Sequence, residues 1–196
     1  MTLYLIRHGE TEGAEAKRYK GHMDVPLSPR GEEQMEKAAL MIKRPLKAVY
    51  TSDLIRAVRS AGIIAGPLTP VIVPAFRERD FGAWEGMSWD EIKDKYPDAF
   101  SSWAKDPVRF SPPRGESTLE LKERVMAALD EMLARHNDGE SIAVVAHGGV
   151  NRVVLCTLLG IPLENIFRVE QDWACLNIIE FWGEMPVVKL LNGVPW

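Results

Sequence analysis

Two histidines of this chain each follow a short apolar run and precede a glycine. Residues 3–6 lead to Arg7 and His8, and residues 141–146 lead to His147. Such runs are typical of strands buried in a parallel sheet, and open α/β sheets carry their reactive groups just beyond the carboxyl ends of the strands. An imidazole beside a guanidinium suits a nucleophile or base next to an anion binder. A surface His-Arg pair would explain one occurrence, but two strand-end histidines favour a functional site.

Two further side chains could join such a site. Arg56 lies near the start of a predicted helix, where free backbone N–H groups favour anions, although a surface arginine would have the same spacing. Glu78 lies among arginines and aromatic residues and could exchange a proton with a substrate. The alternative for Glu78 is an ion pair with Arg77 or Arg79. These side chains would complement the strand-end histidines.

Two histidines, two arginines and a carboxyl group around one point fit phosphoryl transfer through a phosphohistidine. A neutral imidazole would attack phosphorus while guanidinium groups neutralise the equatorial oxygens. A carboxylic acid would protonate the departing alkoxide and, once ionised, would remove a proton from the attacking water. The arginines supply the positive charge, so this chemistry needs no metal ion.

Composition narrows the classes of partner. The 196 residues carry a formal net charge of −4, which argues against a general nucleic-acid binder. No apolar stretch approaches the length that spans a membrane. The four histidines and two cysteines, Cys156 and Cys175, lack metal-like spacing, so we expect buried reduced thiols, no metal site and no cofactor. We expect a cytoplasmic protein that acts on a small phosphorylated metabolite, has no nucleic-acid or membrane partner, and could form a homodimer.

The elements that must position these side chains are indicated by apolar periodicity and capping residues. Strands are predicted at residues 3–6, 48–51, 71–73 and 141–146, followed by an antiparallel hairpin of strands 173–182 and 186–191. Four helices are predicted to begin after the N-caps Ser28, Ser52, Ser88 and Ser117. They are predicted to end, in the same order, by Pro45 and near residues 65, 96 and 136. A last helix is predicted at about residues 150–159. Residues 98–115 are predicted to form an ordered loop or cap. The pattern predicts one α/β domain with short insertions.

These motifs resemble the histidine phosphatase superfamily, in its phosphoglycerate mutase-like branch. The similarity lies in residues 7–11, 21–28, 52–57, 77–78, 81–86, 115–117 and 145–149, which follow the family's order along nearly the whole chain. The resemblance implies an α/β fold of three layers, in which helices flank both faces of a mostly parallel sheet. It also implies a single domain over residues 1–196 with a small cap insertion over residues 85–116.

The resemblance assigns a role to each candidate residue. It implies that His8 is the phosphorylated nucleophile, that Glu78 is the proton donor, and that the phosphate pocket consists of Arg7, Arg56 and His147. The expected substrate-binding residues are Gly9, Thr11, Arg18, Lys20, Gly21 and Gly148.

Three positions depart from the family's pattern. Ala14 stands where Asn is often found, Lys20 stands where Gln is frequent, and Ser60 replaces a common Thr. Ala14 removes an amide that could contact the phosphate, and we expect Lys20 to compensate with its charge. Lys20→Ala should then raise KM. Three tryptophans could stack on a base or could belong to the core: Trp84, Trp89 and Trp103.

Within the superfamily, a hydrolase is favoured over a mutase. Mutases must keep water from the phosphohistidine, and they carry a longer insertion between the counterparts of Glu78 and His147 than this chain does. Residues 167–171 and 188–192 resemble the α-ribazole phosphatases of cobalamin nucleotide-loop assembly, which makes α-ribazole 5′-phosphate the leading substrate. A broad-specificity phosphatase or a phosphoglycerate mutase is the alternative. In a different class, a non-catalytic phospho-ligand binder or regulatory protein could use the same fold.

Overall fold

The computed structural model describes residues 1–194, whose strands form a six-stranded sheet. The strands are β1 (Thr2–Arg7), β2 (Ala48–Thr51), β3 (Val71–Ile72), β4 (Ser141–Ala146), β5 (Leu176–Trp182) and β6 (Met185–Gly193). Their order in the sheet is β3-β2-β4-β1-β5-β6. The first four strands run parallel, whereas β5 pairs antiparallel with β1, and β6 pairs antiparallel with β5. The sheet is therefore mostly parallel, as the family resemblance implied.

Serine caps begin three of the helices. The helices of the described residues are α1 (Pro29–Met41), α2 (Ile55–Ala65), α3 (Trp89–Lys95), α4 (Pro97–Lys105), α5 (Thr118–Leu133) and α6 (Gly148–Leu159). Ser28, Ser88 and Ser117 cap α1, α3 and α5 by accepting a hydrogen bond from a backbone N–H, as the sequence predicted. Short 3-10 turns are formed by Ala14–Ala16, Pro74–Phe76, Gly82–Trp84 and Leu163–Arg168.

Helices cover both faces of the sheet. On one face, α5 and α6 pack on the strands through residues such as Val125 and Val150. On the other face, α1 and α2 pack through residues such as Met35 and Ala61. The central strands β1 and β4 contribute to both clusters, because alternate side chains of a strand point to opposite faces. The expected three-layer α/β fold is confirmed.

Two of the sequence-based interpretations are wrong. Ser52 does not cap α2: Leu54 is the N-cap residue, and the Ser52 hydroxyl bonds to His147 instead. Residues 98–115 are not only a loop, because Pro97 opens α4 at its first helical position. A proline that follows one helix can also begin the next, since the first turn of a helix does not use its backbone N–H.

Some predicted ends of elements also move. Helix α5 ends at Leu133 instead of near His136, and the His136 ring lies between the Tyr50 hydroxyl, at 2.7 Å from Nε2, and the Glu140 carboxylate, at 3.0 Å from Nδ1. Strand β5 begins at Leu176 instead of residue 173. Both cysteines are free and buried, as expected. No helix within residues 1–194 is long and apolar enough to cross a bilayer.

Candidate active site

His8 and His147 meet at the carboxyl edge of the sheet because their strands are neighbours. Strand β1 pairs with β4 in a register that sets Arg7 opposite Ala146, so the residues that follow the two strands lie side by side. The two imidazole centroids are 5.0 Å apart, and the ring planes are inclined at 65°. Both side chains are buried, with exposed fractions of 4% and 0%. The structure thus brings together the two histidines that the sequence placed at strand ends.

The His8 ring is held through one of its nitrogens. Its Nδ1 lies 2.8 Å from the carbonyl oxygen of Gly9, which can only accept a hydrogen bond, so Nδ1 carries the proton of the neutral ring. Nε2 then keeps its lone pair, which is the form that can attack phosphorus. Burial, followed by the positive charges of Arg56 and Arg7, holds the pKa of His8 well below its usual value. His8 is therefore neutral at neutral pH.

A serine sets the orientation of His147. Nε2 of His147 lies 2.8 Å from Ser52 Oγ, and the same hydroxyl accepts a longer bond, 3.4 Å, from the backbone N–H of Leu54. The Ser52 hydroxyl can donate its own proton to Nε2, and the neutral ring then carries its proton on Nδ1. Within residues 1–194, Nδ1 is buried and has no hydrogen-bond partner. Burial, then the neighbouring His8, holds the pKa of His147 well below its usual value, so the ring is a neutral donor.

Two guanidinium groups accompany the histidines. Nη1 of Arg7 donates to the carbonyl oxygen of Gln171 at 2.5 Å, and the guanidinium carbon lies 3.6 Å from a ring centroid of Trp173. Arg56 is buried and donates to the carbonyl oxygen of Gly21 at 2.7 Å. Burial lowers the pKa of Arg7 to about 10, which still leaves it charged at neutral pH. Nε of Arg7 is buried and has no partner in the described part of the chain, so it can donate to an anion.

The carboxyl group of Glu78 is fixed by backbone donors. Oε1 accepts a bond from the N–H of Arg79 at 2.8 Å, and Oε2 accepts one from the N–H of Gly149 at 3.0 Å, in the first turn of α6. The carbonyl oxygen of Glu78 accepts a bond from Arg124 at 2.9 Å and lies 2.9 Å from Nε2 of His22. A Cβ atom on Gly149 would lie 2.3 Å from Oε1. Glycine at this position therefore allows the carboxyl group to approach the helix start.

A cavity of about 470 Å³ opens beside these side chains, and His147 and Ser52 are not part of its lining. His8, Arg7, Arg56 and Glu78 line it, together with the start of α6. Much of the remaining lining is aromatic: Tyr19, Phe81, Trp84, Trp89, Phe100, Trp103, Phe167 and Trp173. Cavities of this size accommodate organic ligands, so the cavity has room for a leaving group much larger than a phosphate.

Four of the six predicted substrate-binding residues line the cavity, namely Arg18, Lys20, Gly21 and Gly148. The other two lie outside the lining. The Gly9 N–H donates to Ser60 Oγ at 3.3 Å, and a Cβ atom on Gly9 would lie 2.3 Å from the carbonyl oxygen of Gly31. Gly9 therefore allows the segment after β1 to pack against the first turn of α1. Thr11 is buried and bonds to Lys20.

Both predicted cationic contacts already have protein partners. Lys20 donates to Thr11 Oγ1 at 2.5 Å and also to a backbone carbonyl oxygen, and burial followed by the charge of Arg56 lowers its pKa. Arg18 forms a two-pronged ion pair with Glu91 of α3, with nitrogen–oxygen distances of 2.5 and 2.9 Å. Their contacts with a substrate stay predictions.

A comparison with known families agrees with this geometry. A model of the histidine phosphatase superfamily, branch 1, matches residues 3–193. The chain belongs to the histidine phosphatase superfamily.

Curated relatives in this superfamily match the chain along nearly its whole length. A putative phosphoserine phosphatase 2 of Hydrogenobacter thermophilus is 32% identical over 193 residues, which are 97% of this chain and 94% of that protein. An adenosylcobalamin/alpha-ribazole phosphatase of Escherichia coli is 29% identical over 196 residues, covering 98% and 96% of the two chains. The crystal structure of a putative alpha-ribazole-5′-P phosphatase of Escherichia coli has a TM-score of 0.91 at 28% identity, covering 98% and 96%. The chain is thus a histidine-type phosphatase.

Sequence reasoning missed three residues of this histidine phosphatase site. Trp173, which packs on Arg7, also lies 5.1 Å from the His8 ring, and nothing in the sequence near it indicates this contact. Ser52 directly follows β2, the neighbour of β4, so the strand-end rule that selected the histidines could have found it. Arg152 lines the cavity one helical turn after the start of α6, a spacing that could have pointed to it.

Proposed function

We propose that this enzyme hydrolyses phosphomonoesters through a phosphohistidine formed on His8. The observation that carries the proposal is one cavity lined by a neutral His8, the guanidinium groups of Arg7 and Arg56, and the carboxyl group of Glu78. A protein that only bound a phosphorylated ligand would need no proton donor there, and a carboxylate would repel the ligand. The arrangement therefore favours hydrolysis over binding.

In the first step, Nε2 of His8 forms a bond to phosphorus while the bond from phosphorus to the ester oxygen breaks. The protonated carboxyl group of Glu78 gives its proton to the departing oxygen, which leaves as an alcohol. Arg7, Arg56 and the Nδ1 proton of His147 stabilise the charge on the phosphoryl oxygens, and they are positioned before the reaction begins.

In the second step, water attacks the phosphohistidine. The Glu78 carboxylate takes a proton from this water as the oxygen–phosphorus bond forms and the bond to Nε2 breaks. Inorganic phosphate leaves, and both His8 and Glu78 return to their starting protonation states. The second step uses the same carboxyl group as the first, because the alcohol and the water occupy the same side of the phosphorus in turn.

We further propose α-ribazole 5′-phosphate as the substrate, which would place the enzyme in cobalamin nucleotide-loop assembly in the cytoplasm. The alpha-ribazole phosphatases of Escherichia coli that resemble this chain support the choice. The aromatic lining of the cavity also supports it, because the base of this nucleotide could stack on such a surface. A phosphatase of broad specificity would use the same machinery on several esters.

Phosphoserine is a second candidate, favoured by Arg152. This side chain lines the cavity, with Nε donating to the carbonyl oxygen of Val169 at 2.8 Å and Nη2 lying 3.6 Å from the exposed carboxylate of Glu170. A guanidinium group can bind a carboxylate through two parallel hydrogen bonds. The Hydrogenobacter relative named as a phosphoserine phosphatase points to the same substrate.

The test is kcat/KM for α-ribazole 5′-phosphate, phosphoserine, 3-phosphoglycerate and a generic aryl phosphate, with His8→Ala as the inactive control. Arg152→Ala is compared with Arg135→Ala, which removes a solvent-exposed arginine two residues after the end of α5. A preference of about a hundredfold for the first substrate, unaffected by Arg152→Ala, supports α-ribazole 5′-phosphate. A preference for phosphoserine that is lost only in Arg152→Ala supports the second candidate.

Other outcomes would redirect the assignment. Similar modest rates on all four esters indicate a broad-specificity phosphatase. Conversion of 3-phosphoglycerate to its positional isomer, faster than release of phosphate, indicates a mutase. Wild-type protein that binds these esters but hydrolyses none of them would falsify the proposal that the chain is a hydrolase for small phosphomonoesters.

A further inference from the structure

Four aromatic side chains from separate parts of the chain meet in the cavity. Trp89 comes from α3, Phe100 and Trp103 come from α4, and Phe167 comes from the 3-10 turn Leu163–Arg168 after α6. Trp103 is central: its ring centroid lies 5.0 Å from that of Trp89, 5.8 Å from that of Phe100 and 6.2 Å from that of Phe167. We call these four residues the aromatic wall.

The aromatic wall is not an ordinary part of the core. Trp89 and Phe167 are 43% and 59% exposed, although both line the cavity. Large apolar side chains that serve only stability are usually buried, and clustered exposed ones mark a binding surface. By contrast, Trp84 of the same cavity is 4% exposed and stacks on Phe110, as a core residue does. The exposed rings of the wall therefore have apolar surface left to cover.

The occupant of this surface follows from its continuity with the phosphate pocket. The wall and His8 line the same cavity, so a group joined to the reacting phosphate would lie against the rings. The four wall residues carry no charge, and their ring pairs include edge-to-face contacts at 84° and 85°. Aromatic rings attract further rings in edge-to-face or offset-stacked arrangements. A flat apolar ring fits this surface better than the charged remainder of phosphoserine does.

We propose that the aromatic wall is the specificity site of the enzyme and selects phosphomonoesters whose leaving group carries an aromatic or heteroaromatic ring. Trp103 is the residue to change in a test, because its ring lies beside each of the other three. This inference rests on the proposed phosphatase function. It assigns a role to residues of the cap segment and of the turn after α6 that take no part in the phosphoryl transfer itself.

The test compares two esters that differ only in the ring, naphthylethyl phosphate and ethyl phosphate. Both release a primary alcohol, so the demands on His8 and Glu78 are alike. Trp103→Ala should lower kcat/KM for naphthylethyl phosphate by about ten- to hundredfold, mainly through KM, and should leave ethyl phosphate unchanged. Trp182→Ala, which removes a tryptophan that is 65% exposed at the end of β5, is the matched control and should change neither ester.

A conservative variant separates a specificity role from a structural one. Trp103→Phe keeps an aromatic ring and should retain most of the preference for naphthylethyl phosphate. This variant keeps the test valid if Trp103→Ala is unstable. Loss of activity on both esters to the same degree in Trp103→Ala and Trp103→Phe would mean that Trp103 only supports the fold, and it would overturn the proposal. An unchanged ratio of kcat/KM for the two esters in both variants would overturn it as well.

A binding measurement distinguishes failure of this proposal from failure of the proposed function. His8→Ala protein, which cannot form the phosphohistidine, is titrated with naphthylethyl phosphate and ethyl phosphate by calorimetry. Tighter binding of the naphthyl ester, abolished by adding Trp103→Ala, supports the wall even if the wild type hydrolyses neither ester. Equal affinities for the two esters overturn the wall while leaving the hydrolase proposal intact.

Discussion

The phosphate pocket and the aromatic wall are built by different means. In the pocket, His8, His147 and Arg7 belong to the ends of two neighbouring strands, and each is fixed by a hydrogen bond to a backbone carbonyl or a serine hydroxyl. In the wall, Trp89 and Phe167 are well exposed, and the rings contact one another. The side chains of the pocket are therefore held in place before a ligand binds, as our proposal requires for the phosphoryl group that every substrate shares, whereas the proposed role of the wall concerns the part of the substrate that varies.

This difference predicts two kinds of kinetic effect. A change in the pocket should lower the rate for every phosphomonoester, because all of them react at the same phosphorus. A change in the wall should alter the ratio of kcat/KM between esters and should leave kcat/KM for the poorest substrate unchanged. Glu78 is an intermediate case, because we propose that it protonates the departing oxygen. The effect of changing Glu78 should therefore depend on how strongly that oxygen needs a proton.

Glu78→Gln should have the largest effect among the following variants. The amide cannot give a proton to the alkoxide, so kcat for ethyl phosphate should fall by about 10²- to 10⁴-fold. The loss in the first step should be much smaller for nitrophenyl phosphate, whose leaving group needs little protonation. Steady-state and burst kinetics on both esters measure this. Equal losses for the two esters in the first step would contradict the role of Glu78 as general acid.

Gly149→Ala should separate the position of Glu78 from the stability of the fold. The new Cβ atom would lie 2.3 Å from Oε1, so the carboxyl group must move, and kcat should fall by about ten- to hundredfold. The melting temperature should not fall, because alanine favours a helix over glycine by about 0.5–1 kcal/mol.

Gly62→Ala is the control for this variant. Gly62 is an exposed residue inside α2, and a Cβ atom there meets nothing within 4 Å. It should show the same gain in helix stability with unchanged kinetics. Full activity of Gly149→Ala would mean that the contact between Glu78 and α6 is not needed for catalysis.

The buried histidines predict a smaller effect, on stability at acid pH. The pKa values of His8 and His147 are held well below the ordinary value of about 6.5. Below that pH the unfolded chain binds protons that the folded chain does not, so the free energy of unfolding falls as pH falls, by up to about 1.4 kcal/mol per pH unit for each ring. Above that pH the contribution of the two histidines to the free energy of unfolding is constant.

His8→Asn removes one of these titrating rings. Denaturant unfolding at about pH 7 and about pH 5 should therefore show a smaller loss of stability in the variant than in the wild type, by up to about 2 kcal/mol. The carboxyl groups that also titrate in this range are common to both proteins and cancel in the comparison. An identical pH dependence for the two proteins would contradict the lowered pKa of His8.

The phosphate pocket was largely predictable from the sequence because it depends on local rules. Arg7 ends a buried strand, His8 and His147 directly follow buried strands, and Arg56 lies at the start of a helix. The parallel pairing of β1 with β4 brings the two histidines together. Ser52 was interpreted as the N-cap of α2, whereas its hydroxyl bonds to His147. Serine suits both positions, and only the order of strands decides between them.

The aromatic wall could not be predicted in the same way. Its rings come from α3, from α4 and from a turn about sixty residues later in the chain. Helix α4 was itself missed, because Pro97 and the serines after it read as loop residues. Nothing local to Trp103 or Phe167 indicates that they approach each other, since this contact depends on how the segment between β3 and α5 meets the turn after α6.

Rapid-quench mass spectrometry can show whether His8 carries the phosphoryl group. Wild-type protein is mixed with nitrophenyl phosphate, stopped in alkali, in which phosphohistidine is stable, and digested for peptide mapping, with His8→Ala treated in parallel. We predict a phosphoryl group on His8 that forms within the first turnover, decays as inorganic phosphate appears, and is absent from His8→Ala. Turnover without any phosphorylated His8, or the same modification on another residue, would contradict the account.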